Sequence, residues 1–206
     1  MSSPALEAAP HLGTPWELPA RGIGVFYGCP QIQRLSHYFL PRAIAEGKRV
    51  LYLDGANSFD PLLLARLARQ RGRMPSEFNR QIRIARAFTC FQLTELLVRV
   101  RCLLQSFSAD VVLLTAMPEL YFDEEVRETD AISSFNRGLR ALQQLAGQLP
   151  VAVFCDPSSF TTPRRKLFER VKSCAGQVCK FAVRRDNTLT ISNERVALQV
   201  LLAEEG

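Results

Sequence analysis

Short apolar blocks alternate along the chain with longer stretches in which apolar residues recur every third or fourth position. The blocks read as strands and the stretches as helices. Blocks at 21–27, 48–54, 82–87, 110–115 and 150–155 predict five strands. Lys48-Arg-Val-Leu-Tyr-Leu-Asp54 is apolar on both faces, and the fourth block carries Val-Val-Leu-Leu in its middle, the composition of central parallel strands. Between the blocks, 31–46 predicts a helix with Leu35, Tyr38, Phe39, Ile44 and Ala45 on its apolar side and a kink at Pro41. Asp60 suits the cap and Pro61 the first turn of a helix reaching about Gln70. Residues 91–107 read as one long helix, with Leu93, Leu96, Leu97, Val100, Leu103 and Leu104 facing inward. An acidic stretch at 119–130 leads into a helix over 131–146, and 164–174 reads as a short basic helix. Strands at 177–185 and 188–192 follow, joined at Asp186-Asn187, a hairpin signal. The tail from Glu194 is apolar, then acidic, and suits an edge strand or a helix.

This order predicts an α/β fold: a mostly parallel central sheet, helices on both faces, and a closing antiparallel hairpin. Residues 1–20 hold four of the twelve prolines and little periodicity, an irregular arm before a single domain over 21–206. The sole tryptophan, Trp16, reads either as a loop residue closing over the core or as an anchor for a neighbouring subunit.

Composition narrows the classes. At 206 residues and 47% hydrophobic content, one buried core is readily formed. No run of 18 apolar residues exists, which argues against a membrane span, and the first 20 residues lack the basic start and apolar stretch of a secretory signal. The six cysteines contain no CxxC pair, and His11 and His37 are distant in sequence, so reduced thiols in a cytoplasmic (or, in a eukaryote, nuclear) setting are expected rather than a zinc site. A formal charge of +6 permits a nucleic-acid partner without demonstrating one.

The candidate chemistry begins in Gly24-Val-Phe-Tyr-Gly-Cys-Pro-Gln-Ile-Gln-Arg-Leu-Ser36, a buried strand, a turn at Gly28 and a helix start. A phosphate loop reads G-x-x-x-x-G-K-[ST]: glycines for the backbone cradle, Lys for the β/γ oxygens, a hydroxyl for Mg²⁺. Here Gly28 supplies the first glycine, while Gln33, Arg34 and Leu35 occupy the next three signature positions, with Ser36 one residue on. Two further stretches join this one. Leu51-Tyr-Leu-Asp-Gly-Ala-Asn-Ser-Phe-Asp-Pro61 fits a strand of the form Φ-x-Φ-D-x-E-x-x-Φ-x-P, and Ile84-Ala-Arg-Ala-Phe88 precedes a polar turn and a helix start at Gln92.

With these three stretches the chain resembles the ATPase core of the RecA/RadA recombinase family, including its eukaryotic paralogs, over roughly residues 21–193. The resemblance implies a RecA-like core whose active positions are altered. The family's phosphate-binding Lys falls on Arg34, its Mg²⁺ hydroxyl on Leu35, its water-activating Glu on Ala56, and the acidic residue ending its fourth strand on Thr115. Its γ-phosphate-sensing Gln falls near Asp156 or Pro157. Loss of all these together removes charge neutralisation, metal binding and water activation. The resemblance therefore implies a pseudo-ATPase: an accessory protein of DNA recombination or repair that binds DNA, a RecA-family recombinase or repair polymerase, or both, as a homo- or hetero-oligomer. Two other readings stay open. One is a regulator that binds ATP without strong hydrolysis, through Gly28, Arg34 and Ser36; the other is a purely structural subunit.

DNA contact is expected in 158–172, which follows the fifth strand where recombinases carry their second DNA-binding loop. Thr161, Thr162, Arg164, Arg165, Lys166, Arg170 and Lys172 are the candidates, with Phe160 and Phe168 as stacking groups. The same basic run reads equally as a solvated helix and hairpin. A second basic stretch, 66–86, reads as a solvated face or as the complement of an acidic partner surface. Asp123, Glu124 and Glu125 read as helix-start acids rather than a metal site, and Cys155 as core.

Overall fold

The computed structural model describes residues 17–183, 189–195 and 198–200. Among the described residues eight strands form one sheet in the order β3-β2-β4-β5-β1-β6-β7-β8. They are β1 (Ile23–Tyr27), β2 (Val50–Asp54), β3 (Ile82–Arg86), β4 (Val111–Thr115), β5 (Val151–Cys155), β6 (Gln177–Val183), β7 (Leu189–Asn193) and β8 (Leu198–Val200). The first six are mutually parallel, and β7 and β8 continue antiparallel from β6. The fold is thus α/β, with a mostly parallel sheet and a C-terminal antiparallel hairpin, as the alternation predicts, and the tail resolves as an edge strand.

Period-two alternation sends each central strand's residues to two cores. Val25, Leu53, Leu114 and Val153 pack with α5 (Cys90–Val98), α7 (Glu128–Ala146) and α8 (Lys166–Ser173). Phe26, Tyr52, Leu113 and Phe154 pack with α1 (Ile32–Leu35), α2 (Leu40–Ala45), α3 (Pro61–Gln70) and α4 (Pro75–Gln81). Because both faces are covered, β1, β2, β4 and β5 are buried at every position, which is why their sequences are continuous apolar runs.

Two helical expectations are corrected, and one helix was not expected. The helix expected over 31–46 is broken into α1, a 3₁₀ turn at Ser36–Phe39, and α2. Pro41 has no N–H to bond the carbonyl four residues back and its ring crowds that carbonyl, so the turn before it tightens. The helix expected over 91–107 is two, α5 and α6 (Val100–Ser106), meeting at Arg99 between the β-branched Val98 and Val100. Helix α4 was not expected: Phe78 is its one buried residue, so it shows no apolar period. By contrast, Asp60 caps α3 as expected, its carboxylate accepting from the N–H groups of Leu62 and Leu63, both at 2.9 Å. Trp16, Arg184, Arg185 and the Asp186-Asn187 turn lie outside the described residues.

Candidate functional site

Parallel strands all deliver their following loops to one edge of a sheet, and in open α/β sheets ligands sit in the crevice at that edge. Here that edge holds a cavity of about 500 Å³. Gly55 and Ala56 after β2, Phe88 and Thr89 after β3, and Gln33 on α1 form part of its wall. Glu119, Asp123 and Glu124 after β4, and Phe160, Thr161 and Thr162 after β5, form the rest with neighbouring apolar residues. No arginine, lysine or histidine lines it among the described residues.

The loop after β1 stands beside this cavity, but its three nucleotide-site candidates do not converge. Gly28 adopts φ +109, and a Cβ there would lie 2.6 Å from the Phe181 carbonyl oxygen; the glycine is required by the close approach of β6. The connection is short, with α1 already begun at Ile32, so Gln33 and Arg34 lie inside a helix. Arg34 turns away to the capping carboxylate of Asp60, 3.1 Å distant. Ser36 is wholly buried, donating to the Gln33 carbonyl oxygen at 2.5 Å and sharing a hydrogen bond of 2.6 Å with the Tyr52 hydroxyl. Its neighbour His37 is buried too: Nδ1 lies 3.0 Å from the Arg34 carbonyl oxygen, and Nε2 accepts from the Asp60 N–H at 2.8 Å. Burial holds this imidazole below its usual pKa. No metal-binding hydroxyl and no cation for phosphate face the cavity from this loop.

The ends of β2 and β4 are equally engaged. Asp54 is buried, accepting from the N–H groups of Ser58 (3.0 Å) and Phe59 (3.1 Å) and from Thr115 Oγ1 (3.3 Å), with Arg86 at 3.2 Å. Thr115 in turn accepts from the Ala56 N–H at 3.1 Å. Both residues organise the β2 and β4 turns. At Gly55 a Cβ would lie 2.6 Å from the Thr115 carbonyl oxygen, so the two turns can pack only without a side chain there.

Beyond β4 the chain is different in kind. Ala116 sits at φ +60, a left-handed conformation that costs a non-glycine residue about 1 kcal/mol or more. The chain then turns so that Glu119, 6% exposed, lies in the cavity wall. Its Oε1 accepts from the Asp156 backbone N–H and from Gln33 Nε2 at 3.2 Å. Its Oε2 is buried with no hydrogen-bond partner among the described residues. Burial pushes the carboxyl up to about 7, against the pull of those donors. Sequence reading took Glu119 only as the first member of an acidic run, and nothing in its local spacing marks it as buried.

The expected DNA segment divides into three environments. Arg164 is buried, 7% exposed, and its guanidinium donates to the carbonyl oxygens of Tyr121 (3.2 Å), Asp123 (2.5 Å) and Val126 (2.5 Å). It ties the loop after β4 to the chain after β5 and is withheld from any DNA contact; its acceptors are backbone carbonyls, which no charge pattern reveals. Lys172 is largely covered, pairing with Glu194 at 2.7 Å over the rings of Tyr27 and Phe168. Phe168 is buried in the core and offers no face for stacking. Thr161 and Thr162 line the acidic cavity, and Thr162 also caps the following turn. Arg165, Lys166 and Arg170 remain exposed on α8 and the turn before it; Lys166 makes a long contact of 3.9 Å to Glu128, and Arg170 lies over the Phe135 ring. Cys155 is core, as expected.

Neither the protein-family models nor the curated proteins yield a match to this chain. Among the described residues no helix is long and apolar enough to cross a membrane.

Proposed function

We propose that this chain is a non-catalytic protein on a RecA-like core, acting as an adapter in DNA recombination or repair through its surfaces rather than through nucleotide turnover. One observation carries the non-catalytic half. The cavity at the carboxyl edge of the sheet, where a nucleotide would sit, presents Glu119, Asp123 and Glu124 and, among the described residues, no cation, a wall that repels phosphate. Arg34 and Thr115, which fall at two of the family's active positions, and Ser36, one residue past a third, are engaged in contacts that hold the loops together.

The DNA half rests on Arg165, Lys166 and Arg170, exposed cations near one another on one helix and its entry turn. Binding through them is electrostatic, follows phosphate rather than sequence, and falls steeply with salt. A recombinase or repair polymerase is the protein partner this reading names.

The test is a fluorescence-anisotropy titration of single- and double-stranded oligonucleotides against salt concentration. Wild type binds at low salt, and Arg165→Glu with Lys166→Glu weakens binding by about tenfold with a shallower salt slope. Arg164 is left intact because its loss damages the fold. No binding at low salt removes the DNA half. ATP binding in equilibrium dialysis that Arg34→Ala abolishes removes the non-nucleotide half.

A further inference from the structure

The cavity described above is more than a disabled nucleotide site, because its chemistry is inverted and internally consistent. Three carboxyl side chains, Glu119, Asp123 and Glu124, share its wall without a basic residue among the described lining. Glu119 carries the independent sign of a missing partner: it is buried, it lines the cavity, and its Oε2 has no hydrogen-bond partner among the described residues. Once that carboxyl is ionised, as it is above about pH 7, the oxygen is a buried acceptor without a donor, and a ligand that supplies the donor recovers the cost. Two exposed rings also belong to the wall, Phe88 at 61% and Phe160 at 42%, the latter braced at 5.6 Å against Phe122.

We infer that this cavity receives the guanidinium of an arginine side chain presented by a partner protein. A planar guanidinium has five donors for carboxylates, lies flat against aromatic faces, and is weakly hydrated, so it tolerates a partly enclosed site. A metal ion fits less well: no group of three or more His, Cys, Asp or Glu side chains is arranged to hold one among the described residues. The occupant belongs to a protein rather than to solution because the rim is apolar and open. Phe88 and Phe160 make an aromatic border of the kind that a partner's surface covers around a charged anchor. Arg164 is the positioning residue for this site. By holding the carbonyls of Tyr121, Asp123 and Val126, it fixes the loop that carries two of the three carboxylates. The inference stands apart from the DNA reading, which uses the exposed cations of α8.

The probe is a blocked Ala-Arg-Ala peptide titrated into the full chain and followed by amide chemical shifts, beside its citrulline isostere, which keeps the shape and removes the charge. The arginine peptide is expected to shift the amides of Ala56, Thr89, Glu124 and Thr161 saturably, with the citrulline peptide about tenfold weaker. Glu119→Gln, and separately Asp123→Asn with Glu124→Gln, are expected to lower affinity by about fivefold or more while leaving the remaining spectrum in place. Equal binding of the citrulline peptide, or unchanged affinity in both variants, overturns the inference. So does tighter binding of spermidine at the same amides, which assigns the cavity to a free polyamine. Concentration-dependent self-association lost in Glu119→Gln also overturns it, by assigning the cavity to a second copy of the chain.

Discussion

The loops after β1 and after β4 leave the same edge of the same sheet, yet one is closed and the other is not. After β1 three polar side chains are internally engaged: Arg34 with Asp60, Ser36 with Tyr52, and His37 with the backbone on both sides of its ring. After β4 the chain holds a left-handed alanine, a buried carboxylate with an idle oxygen, and two exposed acids around a cavity. Satisfied polar groups stabilise a fold, whereas unsatisfied ones kept at an edge are where function is expected. The stretch after β1 is therefore a packing element, and the unsatisfied group lies in the acidic stretch beside it.

The sharpest break of this contrast is Arg164→Ala. It strips the donor from three carbonyl oxygens and opens a buried space, and is expected to cost about 3–5 kcal/mol in chemical denaturation. Arg164→Lys should rescue little, because one ammonium cannot span three acceptors held by a fork. Wild-type stability for Arg164→Ala would mean the two loops are held by something else.

Glu119 comes next. Its folded pKa, about 7, lies above the ordinary 4.5, so the native state binds the extra proton. The stabilisation is full below about pH 4.5 and is lost as pH rises through about 7, an effect of about 3 kcal/mol. Denaturation of wild type and Glu119→Gln at pH 5 and pH 8 isolates it. The wild type should lose stability relative to the variant by about that amount on going to pH 8. His37 works in the opposite sense: its folded pKa is depressed, so its contribution is lost as pH falls below about 6.5, and it cancels in the comparison. A flat difference between the two proteins would mean that Glu119 is ionised in the fold.

The smallest effect belongs to Arg34→Ala. Its pair with Asp60 is exposed, and its loss should change stability by a few tenths of a kcal/mol at most, measured as a thermal midpoint. A large loss would restore Arg34 to an essential place in the loop.

Much of this architecture is legible from residue order. Continuous apolar blocks such as Val111–Thr115 can only be central strands covered on both faces, and Asp60-Pro61 marks a helix start, because these signals are local. The break around Pro41 was half legible, since proline's missing donor is visible in sequence while the tightening of Ser36–Phe39 depends on packing. The candidate site was legible only as composition: a basic run at 164–172 and an acidic run at 119–130. Whether a charged side chain faces solvent, a backbone carbonyl or a cavity depends on residues far away in sequence. Arg164 meets acceptors at 121–126, and Glu119 meets Gln33 and Asp156. Sequence alone determined the central strands, the start of α3 and the charges. Tertiary structure alone decided which charges are buried, because burial is set by long-range contacts and no local pattern of hydropathy encodes them.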